Sequence, residues 1–447
     1  MTIKRIVTTA FILACGAGSA ALIYAWQPAL PPIAPPSPTG FDASEVRYGA
    51  DLALIGDCRT CHTAPGGRTF AGGLAMPTPF GTIYSTNITP DARTGIGQWS
   101  LEAFTRAMRE GVDREGRHLY PAFPYDHFSL TTDVDMKALY AFLMTRDPIV
   151  AEAPANDLPF PINVRLVLAG WKLLFFHPAR YTTDPTHDDI WNRGRYLVEG
   201  LAHCGACHTP RNFMGAETRS EDYAGGEVEG WSAFPLGRLS PAPIPWTEDA
   251  LNHYLREGWQ AHHGVALGPM RPVVENLAEA PAQDVAAMAH YLASLGATAG
   301  PSVQIPTVSP DASGQRPQSA GWQAAISTPA AGGPIGRAIF SAACASCHLS
   351  ERPLPLGGVD LALSTSLSAS TPQNLLDIVL NGVPASDGNP ALIMPGFAGS
   401  MTNATLASLL TFLRVEVAGK SAWPDLPAAV AAARKAASPP IHVRATR

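Results

Sequence analysis

The sequence predicts a mainly α-helical chain: three small tandem domains set behind an N-terminal apolar segment. Three observations predict it. A five-residue motif occurs three times, as Cys58-Arg59-Thr60-Cys61-His62, Cys204-Gly205-Ala206-Cys207-His208 and Cys344-Ala345-Ser346-Cys347-His348, spaced so that each copy has a segment of domain size. Each copy has a helical lead-in and is followed, some way on, by an apolar helical stretch. Finally, 42 prolines and 40 glycines in 447 residues, with only 15% charged residues, suggest short helices joined by many loops that lie against cofactors or partners.

The repeated motif is the attachment signature of c-type haem. On a turn of helix, cysteines at i and i+3 face one side and reach the two vinyl groups. The histidine that follows turns its imidazole to the iron as proximal ligand. Three covalent haem c groups are therefore expected, on Cys58 and Cys61, Cys204 and Cys207, and Cys344 and Cys347, with His62, His208 and His348 as proximal ligands. A redox dithiol or half a zinc site would explain Cys-x-x-Cys, but not a histidine after it three times over. Only Cys15 stands outside the motif, so no disulfide framework competes. A net charge of −6 argues against nucleic-acid binding, and nothing resembles a phosphate loop or a dinucleotide fingerprint.

Residues 1–43 form an apolar segment and a spacer. After Lys4 and Arg5, residues 6–26 carry no charge, and as a helix they would span about 30 Å. The basic flank holds the N-terminus in the cytoplasm and sends the rest outward, to the side where haem c is attached. A cleaved signal ending near Ala17-Gly18-Ser19-Ala20 is open, but apolar character continues to Trp26 and favours a retained anchor. The proline-rich run 28–38 reads as a stiff spacer.

Domain 1 is placed at 44–147. A lead-in helix covers 47–57, and a second helix covers 101–111, with Ser100 as cap and Gly111 as stop. A third covers 133–145, with Met136, Leu139, Tyr140 and Leu143 on one face. The connector 148–189 contains an apolar helix over 164–176 with Arg165 and Lys172 on one stripe. It is too short to span a bilayer, and periodicity leaves three placements open: the membrane interface, a partner subunit, or interdomain core. Domain 2, at 190–296, has helices over 247–258 and 281–294. A flexible linker at 297–333 precedes domain 3 at 334–420, which closes with a helix over 403–415. The tail 421–447 has a short helix at 428–437 and a solvated basic cluster of Arg434, Lys435, Arg444 and Arg447.

An iron that only carries electrons wants a sixth ligand, and methionine sulfur raises the potential relative to a second imidazole. Met270 in Leu267-Gly268-Pro269-Met270 and Met394 in Ile393-Met394-Pro395-Gly396 are the candidates for haems 2 and 3, both expected in loops. Met401 is the weaker alternative, and Met288 sits at core spacing on a helix. Domain 1 breaks the pattern: the matching position in Tyr120-Pro121-Ala122-Phe123-Pro124-Tyr125 is Phe123, which cannot ligate iron. His127 is the nearest donor and His118 its competitor. A bis-histidine haem 1 would have the lowest potential of the three and suit the point where electrons enter. An open iron is the rival.

Together with the three motifs, Phe80-Gly81-Thr82-Ile83-Tyr84-Ser85-Thr86-Asn87-Ile88-Thr89-Pro90-Asp91, His263-Gly264-Val265-Ala266 leading to Gly268-Pro269-Met270, and Met394-Pro395-Gly396-Phe397 carry a resemblance. The chain resembles the cytochrome c subunits of bacterial membrane-bound alcohol and aldehyde dehydrogenases, from about Val46 to Val417. The resemblance implies three cytochrome c domains, each with one haem c, on the periplasmic side of the inner membrane. It implies a subunit that is not itself catalytic and relays electrons from a catalytic dehydrogenase subunit to ubiquinone. Met270 and Met394 match the family's axial positions. The alcohol dehydrogenase cytochromes have Met where Phe123 stands here, and the Tyr-Pro-Ala-Phe-Pro-Tyr-Asp-His form is similar to the branch that serves molybdopterin and iron–sulfur hydroxylases of aldehydes or N-heterocycles. A small iron–sulfur subunit is then a further partner. The alternatives are a pyrroloquinoline-quinone alcohol dehydrogenase partner, or a multihaem peroxidase-like catalyst with an open haem 1.

Overall fold

The computed structural model describes residues 3–296, 334–349, 354, 357–384 and 393–436, so the expected linker at 297–333 lies outside the described residues. The fold is mainly helical, and its strands, among the described residues, form three two-stranded antiparallel hairpins. The chain divides into two compact units: Met1–Ala206 with Arg211–Glu217, and Cys207–Pro210 with Thr218–Arg447.

The first unit begins with α1 (Ile3–Ala25). Among the described residues, no helix is long and apolar enough to cross a membrane. The proline-rich run is not a stand-off spacer but is stitched to the first domain. Leu30 N donates to Arg114 O at 2.8 Å and Ile33 N to Gln98 O at 3.1 Å, and Arg106 donates to Pro28 O at 2.7 Å. Helix α2 (Ala43–Ile55) starts where Asp42 accepts from the amides of Ser44 and Glu45, and it leads into α3 (Cys58–Cys61). Strands β1 (Ala75–Thr78) and β2 (Gly81–Tyr84) follow as a hairpin.

Helix α4 (Leu101–Glu110) obeys the expected signals. Ser100 Oγ accepts from Ala103 N at 3.1 Å, and Gly111 ends the helix at φ 62°. The short α5 (Tyr125–Phe128) precedes α6 (Asp133–Met144). Helix α6 is buried nearly all round, not along one stripe: Ala138, Ala141, Phe142 and Met144 are as enclosed as the four residues of the expected face. It is the axle of this unit. Helix α2 crosses it so closely that a Cβ at Gly49 would overlap the Ala138 carbonyl.

The connector belongs to the same unit because it completes the first domain's hydrogen bonding. Thr82 N donates to Asp157 O at 2.9 Å, and buried Asn87 donates to Ile149 O at 2.7 Å. Helix α7 (Val167–Phe175) buries a lysine, Lys172, together with Leu168 and Ala169. Lys172 Nζ donates to Glu110 O at 2.6 Å, Gly111 O at 2.7 Å and His118 Nδ1 at 3.2 Å, and Arg165, just before the helix, donates to His118 O at 2.9 Å. Burial pushes the Lys172 ammonium down to about 7. Leu173 and Leu174 are turned outward, 64% and 61% exposed, beside α1, where Leu22, Ile23 and Trp26 are also exposed. The lead-in to the second motif, α8 (Asp189–Tyr196), is held here too. The Tyr196 hydroxyl donates to buried Asp135 and accepts from Thr132 N, the cap of α6. The first compact unit thus runs on through Ala206.

Helix α9 (Gly205–His208) carries the end of the second motif, of which Cys207 and His208 belong to the second unit, and there hairpins β3 (Gly226–Val228) with β4 (Trp231–Ala233) and β5 (Trp259–Gln260) with β6 (Gly264–Val265) follow. Helix α10 (Glu248–Glu257) is capped by Thr247 and ended by Gly258, and it packs on α12 (Ala282–Gly296) with α11 (Met270–Glu279) beside it. Met288 is core, 1% exposed. The third motif's lead-in, α13 (Pro334–Ala343), crosses α17 (Asn403–Phe412) over Gly336, where a Cβ would overlap the Ser408 carbonyl. Helices α14 (Ala345–His348), α15 (Thr365–Ser368) and α16 (Gln373–Asn381) lie between them in the chain, around a core that includes Phe340, Leu376, Leu406, Leu410 and Phe412. Helix α18 (Leu426–Ala436) is no free tail: Arg434 donates to Ala398 O at 2.6 Å and to Met401 O. Arg444 and Arg447 lie outside the described residues.

The Gly49 crossing generates a test. Gly49→Ala should destabilise the protein by about 3 kcal/mol or more, since the methyl meets backbone that cannot yield. Gly170→Ala, in α7 with nothing within 4 Å of the new carbon, should be neutral or stabilise by up to about 1 kcal/mol. Denaturant unfolding of the two variants checks both.

Candidate functional site

The three motifs share one local construction, a helical turn that closes on itself. In the first and third, the histidine amide returns to the first cysteine: His62 N donates to Cys58 O at 3.1 Å and His348 N to Cys344 O at 3.0 Å. In the second the turn closes earlier, with Ala206 N donating to His203 O at 2.9 Å. The imidazole is then fixed by its Nδ1. His62 Nδ1 lies 2.6 Å from Thr86 O, His208 Nδ1 2.7 Å from Phe234 O, and His348 Nδ1 3.1 Å from Val359 O. A carbonyl oxygen can only accept, so in each ring the proton sits on Nδ1 and the lone pair on Nε2. This is the orientation a metal-binding histidine needs, and the carbonyl also raises its basicity. Burial pulls His62 and His208 below the ordinary imidazole range, which keeps the rings neutral. The residues present fit a haem on each motif.

Chain topology delivers those carbonyls. In the first two cases a hairpin runs out and back between motif and acceptor: β1–β2 ends two residues before Thr86, and β3–β4 ends next to Phe234. In the third the acceptor lies 11 residues on. A glycine amide closes each turn. Gly72 N donates to His62 O at 2.8 Å, Gly225 N to His208 O at 2.8 Å, and Gly358 N to Cys347 O at 3.0 Å. A Cβ at Gly358 would lie 2.5 Å from the His348 ring. Sequence reasoning missed Thr86, Phe234 and Val359, because a backbone acceptor leaves no residue-type signal. The glycines following each motif were the signal available.

Met270 is the first residue of α11, half-buried, where a loop was expected. The hairpin that supplies Phe234 O also supports the Met270 loop, since Gly268, at φ 56°, sits on the Trp231 ring, 2.5 Å from where its Cβ would be. Met394 is held by paired bonds with Val383, 2.9 and 3.0 Å, and packs, as Cys344, Val359 and Met401 do, against the third domain's core.

His127 is engaged at both ring nitrogens. Its Nδ1 donates to Glu199 O at 2.7 Å, and its Nε2 lies 3.0 Å from Glu217 Oε1, with Asp126 close by. To ligate iron through Nε2 it would have to leave Glu217. Burial works against its charge, but Glu217 and Asp126 outweigh burial and lift it to about 9. The competitor, His118, is also engaged twice: Nε2 donates to Ala25 O at 2.8 Å and Nδ1 accepts from Lys172. Phe123 packs edge-on against Phe128, centroids 5.3 Å apart.

The charged pair of His127 and Glu217 has a definite pH signature. A histidine raised from about 6.5 to about 9 stabilises the fold fully below its unfolded value and loses that contribution as pH rises through 9. Glu217→Gln should therefore cost about 2 kcal/mol at pH 6 and progressively less towards pH 9. Denaturant unfolding of wild type and variant across that range measures the difference.

Comparison with known proteins agrees with this construction. The model of the family described as cytochrome C oxidase, cbb3-type, subunit III matches residues 333–413, which contain the third motif. The chain is 44% identical over 436 residues to one of the subunits of nicotinate dehydrogenase from Pseudomonas putida, covering 95% of this chain and 34% of that protein. It thus spans about a third of that relative's length. It is 38% identical over 373 residues to the fructose dehydrogenase cytochrome subunit of Gluconobacter japonicus, covering 81% of this chain and 76% of the relative. To the gluconate 2-dehydrogenase cytochrome c subunit of Pantoea cypripedii it is 38% identical over 391 residues, covering 83% and 85%. A c-type attachment motif on a pre-oriented histidine and two cytochrome subunits matched over 76% and 85% of their length point the same way: the chain belongs to the family of cytochrome c subunits of dehydrogenase complexes.

Proposed function

We propose that this chain carries three haem c groups and relays electrons from a catalytic dehydrogenase subunit to ubiquinone at the periplasmic face of the inner membrane. The observation that carries the reading is the threefold recurrence of one pre-oriented proximal histidine, at His62, His208 and His348. Bound haem supplies a one-electron couple. These residues would hold it: Cys58, Cys61, Cys204, Cys207, Cys344 and Cys347 through thioethers, the three histidines through Nε2, and Met270 and Met394 through sulfur. The membrane side is supported by the outward-facing leucines of α7 beside the exposed end of α1. For the partner, the Phe123 form of the first domain and the likeness to a nicotinate dehydrogenase component support a molybdopterin and iron–sulfur hydroxylase, with a small iron–sulfur subunit, over a pyrroloquinoline-quinone enzyme.

A second reading concerns haem 1 alone. His127 is the proposed sixth ligand, but its pairing with Glu217 favours an iron that would stay open at the first motif, as in a multihaem peroxidase-like catalyst. The two separate cleanly. With His127 on the iron, wild type is low-spin throughout and His127→Ala creates a carbon-monoxide-binding haem. With an open iron, wild type already binds one carbon monoxide and His127→Ala leaves the spectrum unchanged.

Alkaline pyridine haemochrome assay and intact mass of the purified chain should give three haems. Serine in place of both cysteines of any one motif should leave two. Met270→Ala and Met394→Ala should each keep the haem count, lower one midpoint potential and open one iron to carbon monoxide. A count other than three would end the reading.

A further inference from the structure

Three buried polar atoms without partners belong to residues at one junction of the second unit, where the loop before Met270 is bonded to the start of α15. The first is His263 Nδ1, on a residue only 2% exposed. Its ring lies flat on the Trp246 indole, centroids 3.7 Å and planes 12° apart, so it is held in place inside the protein. The other two are Thr365 Oγ1, on a residue 5% exposed, and Ser368 Oγ, one helical turn further along α15. Two backbone bonds fasten the junction: Thr365 N donates to His263 O, and Asp360 N to Ala261 O, both at 2.9 Å.

A buried donor left without an acceptor costs about 1–3 kcal/mol, and three at one junction are a large penalty for one domain. An imidazole N–H and two hydroxyls can all donate to one group, and a carboxylate, with two oxygens and several lone pairs, accepts from all three. Haem c brings two such carboxylates, its propionates. Both flanks of the junction lead to candidate iron ligands: His263 stands seven residues before Met270, and Thr365 stands 17 after His348.

We propose that His263, with Thr365 and Ser368, binds a haem propionate of the second unit, and so sets the potential of that haem. The proposal rests on the haem reading above. His263 is a positioning residue: it acts on the iron through the propionate. A donor at the propionate offsets negative charge near the iron. Removing it favours the oxidised state and lets the carboxylate take up a proton.

The test uses the full-length, haem-loaded chain. His263→Phe keeps an aromatic ring against Trp246 and removes the donor, Thr365→Val removes a second donor, and His263→Asn restores an N–H at a similar reach. Haem content comes from the pyridine haemochrome assay, midpoint potentials from spectroelectrochemical titration between pH 5.5 and 8.5, and propionate bending modes from resonance Raman. His263→Phe should retain every haem, lower one midpoint and make it pH-dependent, and shift one propionate mode. Thr365→Val should do the same to the same haem by a smaller amount, and His263→Asn should return the midpoint towards wild type. Unchanged midpoints and Raman modes in both His263→Phe and Thr365→Val, with full haem content, would overturn the proposal and leave the three atoms to water. If His263→Phe does not fold, Thr365→Val decides alone. Wild type short of its haems would count against the haem reading itself, not against His263.

Discussion

A single hydrogen bond recurs at each proposed iron site: the proximal imidazole gives its Nδ1 proton to a main-chain carbonyl further down the chain. In stability terms it is a minor interaction, about 1 kcal/mol. Its directional effect is larger. It selects one of two tautomers, stops the ring rotating, and leaves the Nε2 lone pair as the only one the ring has. The rest of each domain can be understood as what brings that carbonyl back. After two of the motifs a hairpin precedes the acceptor, and after all three a glycine amide closes the loop onto the motif. The recurring element is thus the acceptor, while the secondary structure that supplies it differs.

The parts of the fold that follow from local chemistry were legible in the sequence. Ser100 and Gly111 around α4, and Thr247 and Gly258 around α10, start and stop helices through side-chain and φ preferences that need no tertiary context. Helix α7 shows where such reasoning stops. Its spacing shows two faces but not which one is inside. The usual rule would put the lysine out, but Lys172 lies inside beside Leu168 because the C-terminal carbonyls of α4 need donors, and Leu173 and Leu174 are left outside. Helix α6 was half read for a similar reason. A stripe of four apolar residues was visible, but burial from every side depends on neighbours distant in sequence, α2 and α4 among them.

His127 makes the same point at the level of chemistry. Counting along the chain finds the nearest imidazole to the place a methionine would occupy, and counting is blind to competitors. Glu217 is 90 residues away and takes the nitrogen that iron would need. The raised imidazole follows from that pairing against the opposing pull of burial. Glu199 O orients the ring from its other side, much as carbonyls orient the three proximal histidines. A well-oriented histidine therefore does not by itself identify an iron ligand. The group facing its second nitrogen decides.

Few charged residues and many loops create a shortage of a particular kind, since loop carbonyls lack the ladders that satisfy helices and sheets. The arginines meet it. Arg106 and Arg109 donate to Pro28 O and Thr131 O, and Arg165 donates to His118 O. In the second unit, Arg414 donates to Ser421 O and Leu367 O, and Arg434 ties α18 to the loop that follows Met394. Each guanidinium offers several N–H groups in a fixed fork, so one side chain can hold two turns of a loop at once. That accounts for cationic groups as enclosed as Arg109 and Arg414 in so apolar a chain. Arg414 spends its charge on carbonyl dipoles, and Arg109 divides its own between the Thr131 carbonyl and the Asp133 carboxylate. Loops fastened in this way keep their course without a sheet beneath them, as the proposed function requires of walls that present a proximal histidine and a far-side methionine from distant parts of the chain.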